Sequence, residues 1–207
     1  MGDLVDSEAF KDTRNLHTAF NAAVARQNAA TGSGPISPLT ITLGDEFQGV
    51  YRAMEHAAYA ARDMRSDLMD QGIDCRFVIG RVRIDTPLNP ERAWNMMGPG
   101  LSDARDILNA KAAGLTYRFS LPDQPDLAQL LDALGAGLSV IERSWTDIQR
   151  RDIRAHLGSA SAEAIATRRG VSPRAVYKSL KGGEYDAYNR QWTAVLDAVA
   201  THDKRAQ

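Results

Sequence analysis

The sequence has 207 residues, 43 % of them hydrophobic and 25 % charged, with a net charge of −1. That is enough apolar material for one or two cored domains, so disorder throughout is excluded. No apolar run approaches the roughly 18 residues of a membrane span. A single Cys75 and four histidines support neither an internal disulfide nor a Cys/His zinc site. Met1-Gly2-Asp3 lacks the basic and then apolar pattern of a secretory leader, so the expected address is the cytoplasm.

In chain order, the spacing of Phe10, Leu16, Phe20, Ala23, Val24 and Gln27 predicts a helix over 8–30, with Asp6 or Ser7 as its cap. Residues 31–38 are a loop by composition. A strand over 39–43, a Gly44-Asp45 turn and a returning strand over 46–51 form a hairpin. A helix over 52–71 ends at Gly72, and the alternating, branched run 75–84 reads as a strand. A helix is expected over 91–113, broken near Gly98-Pro99-Gly100, followed by a short strand over 116–121. After the linker 122–125 every segment reads as helix.

This order predicts an α+β protein in two parts: an α+β domain over 1–122 and an all-α domain over 126–207. Charge divides the same way. Residues 1–142 carry a net −6 and residues 143–207 a net +5. An acidic body with a basic C-terminal part makes that part a candidate for a polyanion.

Asp3 at the end of the first strand and Asp45 in the hairpin turn are a candidate pair of hard oxygen ligands, suited to Mg²⁺ or Mn²⁺ beside a phosphate. Asp in a turn or before a helix is also common for conformational reasons alone. The first strand is short ahead of Asp3, and an apolar extension before Gly2 is expected to raise thermal stability.

The segments 2–7, 41–49, 76–85 and 98–108, together with the C-terminal helices, resemble the SatD family of bacterial proteins. The block Thr42-Leu43-Gly44-Asp45-Glu46-Phe47-Gln48-Gly49 is the most specific part of that likeness. More distantly, the first domain resembles the catalytic core of class III nucleotide cyclases and GGDEF domains. The shared elements are Asp3-Leu4, Leu43-Gly44-Asp45, the strand Arg76–Val82 and the pair Ala104-Arg105. The likeness implies a ferredoxin-like, cyclase-like fold, metal at Asp3 and Asp45, and a nucleotide triphosphate facing Arg105. Ile41 and Leu101 stand where the cyclases carry their base-reading Lys and their Asn.

Residues 161–181 carry the pattern of a helix-turn-helix. Ala166 is small enough for a second helix to cross closely. Gly170 permits a tight turn. Val171 and Val176 are expected to plug the angle between the helices. Ser172 caps the second helix and Pro173 takes its first position. Arg174, Tyr177, Lys178 and Lys181 then share one face, as a helix in a DNA groove requires.

A preceding helix holding Trp145, Ile148, Ile153 and Leu157 presents Arg150, Arg151 and Arg154, expected nearer the phosphates. The three-helix pattern resembles the DNA-binding region of sigma factors. Two flanking helices, 126–142 and 184–200, each carry an apolar stripe. One must cover the unit, and the other is a candidate homodimer seam. The functional expectation is therefore a regulator that binds duplex DNA and whose first domain senses a nucleotide or metal or self-associates. The alternative is a metal-dependent nucleotidyl cyclase.

Overall fold

The computed structural model describes residues 1–110 and 114–205. The chain forms β1 (Gly2–Leu4), α1 (Thr13–Asn28), the hairpin β2 (Ser37–Leu43) and β3 (Glu46–Val50), and α2 (Met54–Met69). Then follow β4 (Cys75–Gly80), α3 (Leu101–Asn109) and β5 (Tyr117–Ser120). Five helices complete it: α4 (Pro125–Ser144), α5 (Asp147–Leu157), α6 (Ala162–Arg169), α7 (Pro173–Gly182) and α8 (Tyr185–Arg205). This is a mixed α+β protein, and its described residues hold one five-stranded sheet.

The sheet order is β2-β3-β1-β4-β5. Every neighbouring pair is antiparallel except β4 and β5. β1 therefore sits in the middle, where Gly2 faces Phe47 of β3 and Phe77 of β4. Strand alternation sends Leu4, Phe47, Phe77 and Ile79 to the face covered by α1 and α2. Val78 points to the other face and packs on Ala104 and Leu108 of α3. Phe20, Phe47, Phe77 and Tyr117 make a run of ring contacts across the first face, with centroids 5.6 to 5.8 Å apart.

Two side-chain devices protect the ends of the sheet. Asn28 imitates a strand partner: its amide donates to Leu39 O at 2.9 Å and its Oδ1 accepts from Leu39 N at 2.8 Å. At the opposite edge α4 runs along β5. Asp132 Oδ1 accepts from Phe119 N at 2.7 Å, and Ser139 Oγ accepts from Thr116 N at 3.2 Å. A sheet edge with filled donors offers no template for another strand. The close approach needs Gly135, where a Cβ would land on the Tyr117 carbonyl.

A single apolar cluster joins the sheet to the C-terminal helices. Trp192 of α8 meets Tyr117 edge-on at 4.9 Å, and Tyr188 meets Trp145 at 4.8 Å. In its midst lies Glu142, 2 % exposed. Its Oε2 accepts from Arg65 Nε at 2.5 Å, and its Oε1 accepts from the hydroxyls of Tyr117 and Tyr188, both at 2.8 Å. Asp203 near the end of α8 accepts from Met54 N at 2.8 Å, capping α2 in place of Ala53, which has no side-chain oxygen.

Three expectations from the sequence need correction. The first helix starts at Thr13 under an Asp12 cap that accepts from Asn15 N at 2.9 Å. Asp6 is left-handed and the Ser7–Ala9 turn runs into an extended Phe10, so neither Asp6 nor Ser7 caps it. The strand from Cys75 stops at Gly80. Residues 81–100 are irregular where a helix was expected from 91, because Pro87, Pro90 and Pro99 remove donors and Gly100 turns left-handed at φ 90. The last expected residues of that helix, 111–113, lie outside the described residues.

Candidate functional site

β1 and β3 are neighbours, and Leu4 N donates to Asp45 O at 3.1 Å, so the two candidate carboxylate residues sit side by side on the backbone. Their side chains have different partners. Asp3 shares a sheet face with Arg76 on β4, the residue directly opposite it. Arg76 Nε donates to Asp3 Oδ1 at 2.9 Å and its Nη2 meets Oδ2, a two-pronged pair. Asp45 Oδ2 accepts from Ser7 Oγ at 2.5 Å. Both Asp3 oxygens are thus neutralised by a guanidinium, and Asp45 is tied to the turn after β1. Among the described residues no three His, Cys, Asp or Glu side chains converge as a metal cluster. As arranged, the two carboxylates have separate partners, Arg76 and Ser7.

Arg105 lies on α3 over the same sheet face, where its Nη2 donates to Gln48 Oε1 at 3.4 Å. Gln48 is two positions along β3 from Glu46, the partner of Asp3. Arg105 therefore stands further along the strand than either carboxylate. It lines a cavity of about 940 Å³ together with Met1, Gln48, Met64, Ile79 and Leu101. The cavity was not legible from residue types, since its wall mixes buried core such as Phe77 and Ile79 with half-buried and exposed residues drawn from several elements.

In the C-terminal part, α6 starts under Ser161, whose hydroxyl accepts from Ala164 N, and ends at Gly170 in the left-handed region, φ 66. Val171 N then returns to Ala166 O at 3.0 Å. Ser172 accepts from Ala175 N at 3.3 Å, and Pro173 occupies the first turn of α7. These local features carry out the capping that the spacing predicts. Ile153, Ile165, Ala166, Val176 and Leu180 are buried between α5, α6 and α7. Val171 is not a plug: it is 37 % exposed, because the turn spends its backbone on Ala166 and points the side chain outward.

The buried side of α7 leaves Arg174, Tyr177, Lys178 and Lys181 exposed, with Ser172 exposed at its start. Arg151 and Arg168 are exposed on the adjoining helices. Arg150 and Arg154 are placed differently. Arg150 Nε donates to Asp70 Oδ1 at 2.7 Å, and Arg154 Nη1 donates to Asp70 Oδ2 at 3.0 Å. Arg154 also meets Asp67, which binds Arg26 as well. Two of the basic residues of α5 thus bolt it to the end of α2, and Arg169 pairs with the buried Asp152. Charge counting along the chain cannot distinguish a cation facing solvent from one held by an acid some 80 residues away.

The fold and these sites define a class: an α+β protein whose central sheet carries helices on both faces and whose basic helical unit is docked on its side. The SatD family model matches residues 1–199, and the chain belongs to the SatD family. Comparison with curated proteins gave no match, and comparison with solved structures gave none.

Proposed function

We propose that this protein is a DNA-binding regulator in which α6 and α7 act as a helix-turn-helix. The observation that carries the reading is the two-sidedness of α7. Val176 and Leu180 are buried, while Arg174, Tyr177, Lys178 and Lys181 are exposed on the opposite side of a helix capped at Ser172, with the Tyr177 side chain hydrogen-bonded to Glu163 of α6. A helix anchored along one side and cationic along the other suits insertion in a major groove. Arg151 and Arg168 are the neighbouring cations for phosphates. Arg150 and Arg154 are engaged by α2 and are left out of that set.

The sheet is read as the sensing or self-associating part. Within it the order β2-β3-β1-β4, antiparallel throughout and built as βαββαβ, supports a ferredoxin-like, cyclase-like core. Arg105 at the cavity is the group for a nucleotide phosphate. The exposed Leu130 and Val140 on α4 supply the seam of a homodimer. The cyclase alternative would need Asp3 freed from Arg76 and turned towards Asp45, and the paired guanidinium opposes that.

Fluorescence anisotropy of the full chain on genomic duplex fragments tests the reading. With about four phosphate contacts, log affinity falls with log salt at a slope of roughly −3 to −4. Arg174→Ala should cost about 1–3 kcal/mol on a preferred site and little elsewhere. Absence of duplex binding at low salt overturns the proposal.

A further inference from the structure

The exposed side of α7 carries more information than its charge. Arg174, Lys178 and Lys181 are exposed and fall within about 60° of one another around the helix, opposite the buried Val176 and Leu180. A guanidinium and two ammonium groups donate hydrogen bonds and cannot accept them. Between Pro173 and Gly182 the helix holds no Asn, Gln, Asp or Glu. Its other polar groups are spent. Ser172 Oγ accepts from Ala175 N at 3.3 Å as the cap. Ser179 is half-buried, with its Oγ shielded from solvent. Tyr177 lies on the flank towards α6, where its hydroxyl bonds the Glu163 carboxylate. That carboxylate also holds its own backbone N–H and the Ser161 hydroxyl, so the neighbouring acid uses its acceptors within the protein. The outward side of α7 is therefore a surface of donors.

The bases differ in what they require of such a surface. In the major groove guanine presents two acceptors, O6 and N7. Adenine pairs an acceptor with a donor amine, and cytosine presents a donor amine. Adenine is matched by a carboxamide and cytosine by a carboxylate, and the outward side of α7 has neither. A guanidinium fork matches the two guanine acceptors at once. We propose that α7 selects guanine, with Arg174 reading O6 and N7 of one guanine and Lys178 taking a second about two base pairs away. This rests on α6 and α7 binding duplex DNA, and it adds which sequences they take.

Position along the helix divides the work. The N-terminal residues of a recognition helix reach the base edges, and Arg174 directly follows Pro173 at the start of α7. Lys178 follows one turn later on the same side, about 6 Å along the axis. At roughly 3.4 Å per base-pair step, that is about two steps. Lys181 stands in the last turn, further from the bases, and serves a phosphate.

The test selects duplexes with a randomised core on the full chain and sequences those retained. The expected result is enrichment of cores with two G·C pairs about two steps apart. Each guanine of the best duplex is then replaced by 7-deazaguanine, which keeps its pairing and lacks N7. Affinity should fall at least threefold at two positions. Arg174→Ala should abolish the loss at one of them and Lys178→Ala the loss at the other. The series on the unaltered chain stands whether or not either variant folds. Enrichment of cores made only of A·T pairs, uniform binding without enrichment, or 7-deazaguanine without effect overturns guanine selection and leaves duplex binding in place. Equal affinity for an RNA duplex of the same sequence, whose major groove is too narrow to be read by side chains, also overturns it. Failure to bind any duplex at low salt overturns the DNA-binding reading, and guanine selection with it.

Discussion

Glu142 offers the sharpest test of how the two parts of the chain are held together. Its carboxylate is buried and accepts from Arg65, Tyr117 and Tyr188, so it ties α2, β5 and α8 to α4 at one point. Burial and the adjacent carboxylate push both tyrosine hydroxyls well above their ordinary range, so they remain donors at any working pH. Removing one partner of a buried pair costs about 3–5 kcal/mol, because the other charge is left unpaired. Arg65 keeps Asp74 and the Cys75 carbonyl, which places Glu142→Ala towards the lower end of that range. In a chain of this size each kcal/mol moves Tm by roughly 2–4 °C, so a fall of about 6–15 °C is expected.

Glu142→Gln keeps an acceptor for the tyrosines and should lose less, about 1–3 kcal/mol. The double variant Arg65→Met with Glu142→Leu removes both charges and should be more stable than Glu142→Ala alone. Thermal and urea unfolding followed by circular dichroism measures all three. A loss below about 1 kcal/mol for Glu142→Ala, a size ordinary for surface changes, would refute the reasoning.

Three further outcomes follow from the geometry. Gly170→Val puts a branched side chain at φ 66 and should cost roughly 1–3 kcal/mol, with DNA affinity lost in step; unchanged unfolding would show that the turn tolerates a side chain. Asp70→Asn removes the carboxylate that Arg150 and Arg154 share, leaving Arg150 with Asp147 and Arg154 with Asp67, at a stability cost of about 1 kcal/mol. If they then reach phosphates, the salt slope should steepen by about one to two, and a slope that stays put sinks that idea. Between pH 6 and pH 8 the unfolded chain carries a proton on the Met1 amine that the native chain does not, because burial lowers that amine from 8.0 to about 6. Stability should therefore rise with pH across this window, by at most about 2–3 kcal/mol. Nα-acetylation should abolish the rise, and an acetylated chain with the same pH profile would count against it.

What the sequence determined by itself is local. Ser161, Gly170, Ser172 and Pro173 set the ends of α6 and α7 because caps and turns act within about four residues of the chain. The Gly44-Asp45 turn between the Thr40-Ile41-Thr42 run and the segment from Glu46 was enough for the hairpin. The 3.6-residue apolar stripe of α4 was legible too, whereas the role of Glu142 was not, because its partners Arg65, Tyr117 and Tyr188 come from three other elements.

What only the tertiary structure decided is which groups meet over long distances. Asp3 faces Arg76 because β1 and β4 pair 73 residues apart, and that pairing turns a candidate metal ligand into half of an ion pair. Arg150 and Arg154 look like free cations in the chain, yet the docking of α5 on α2 hands them to Asp67 and Asp70. Periodicity and capping are properties of neighbouring residues, so they can be read along the chain. The partner of a charged side chain is set by packing, which assembles residues that the sequence keeps far apart.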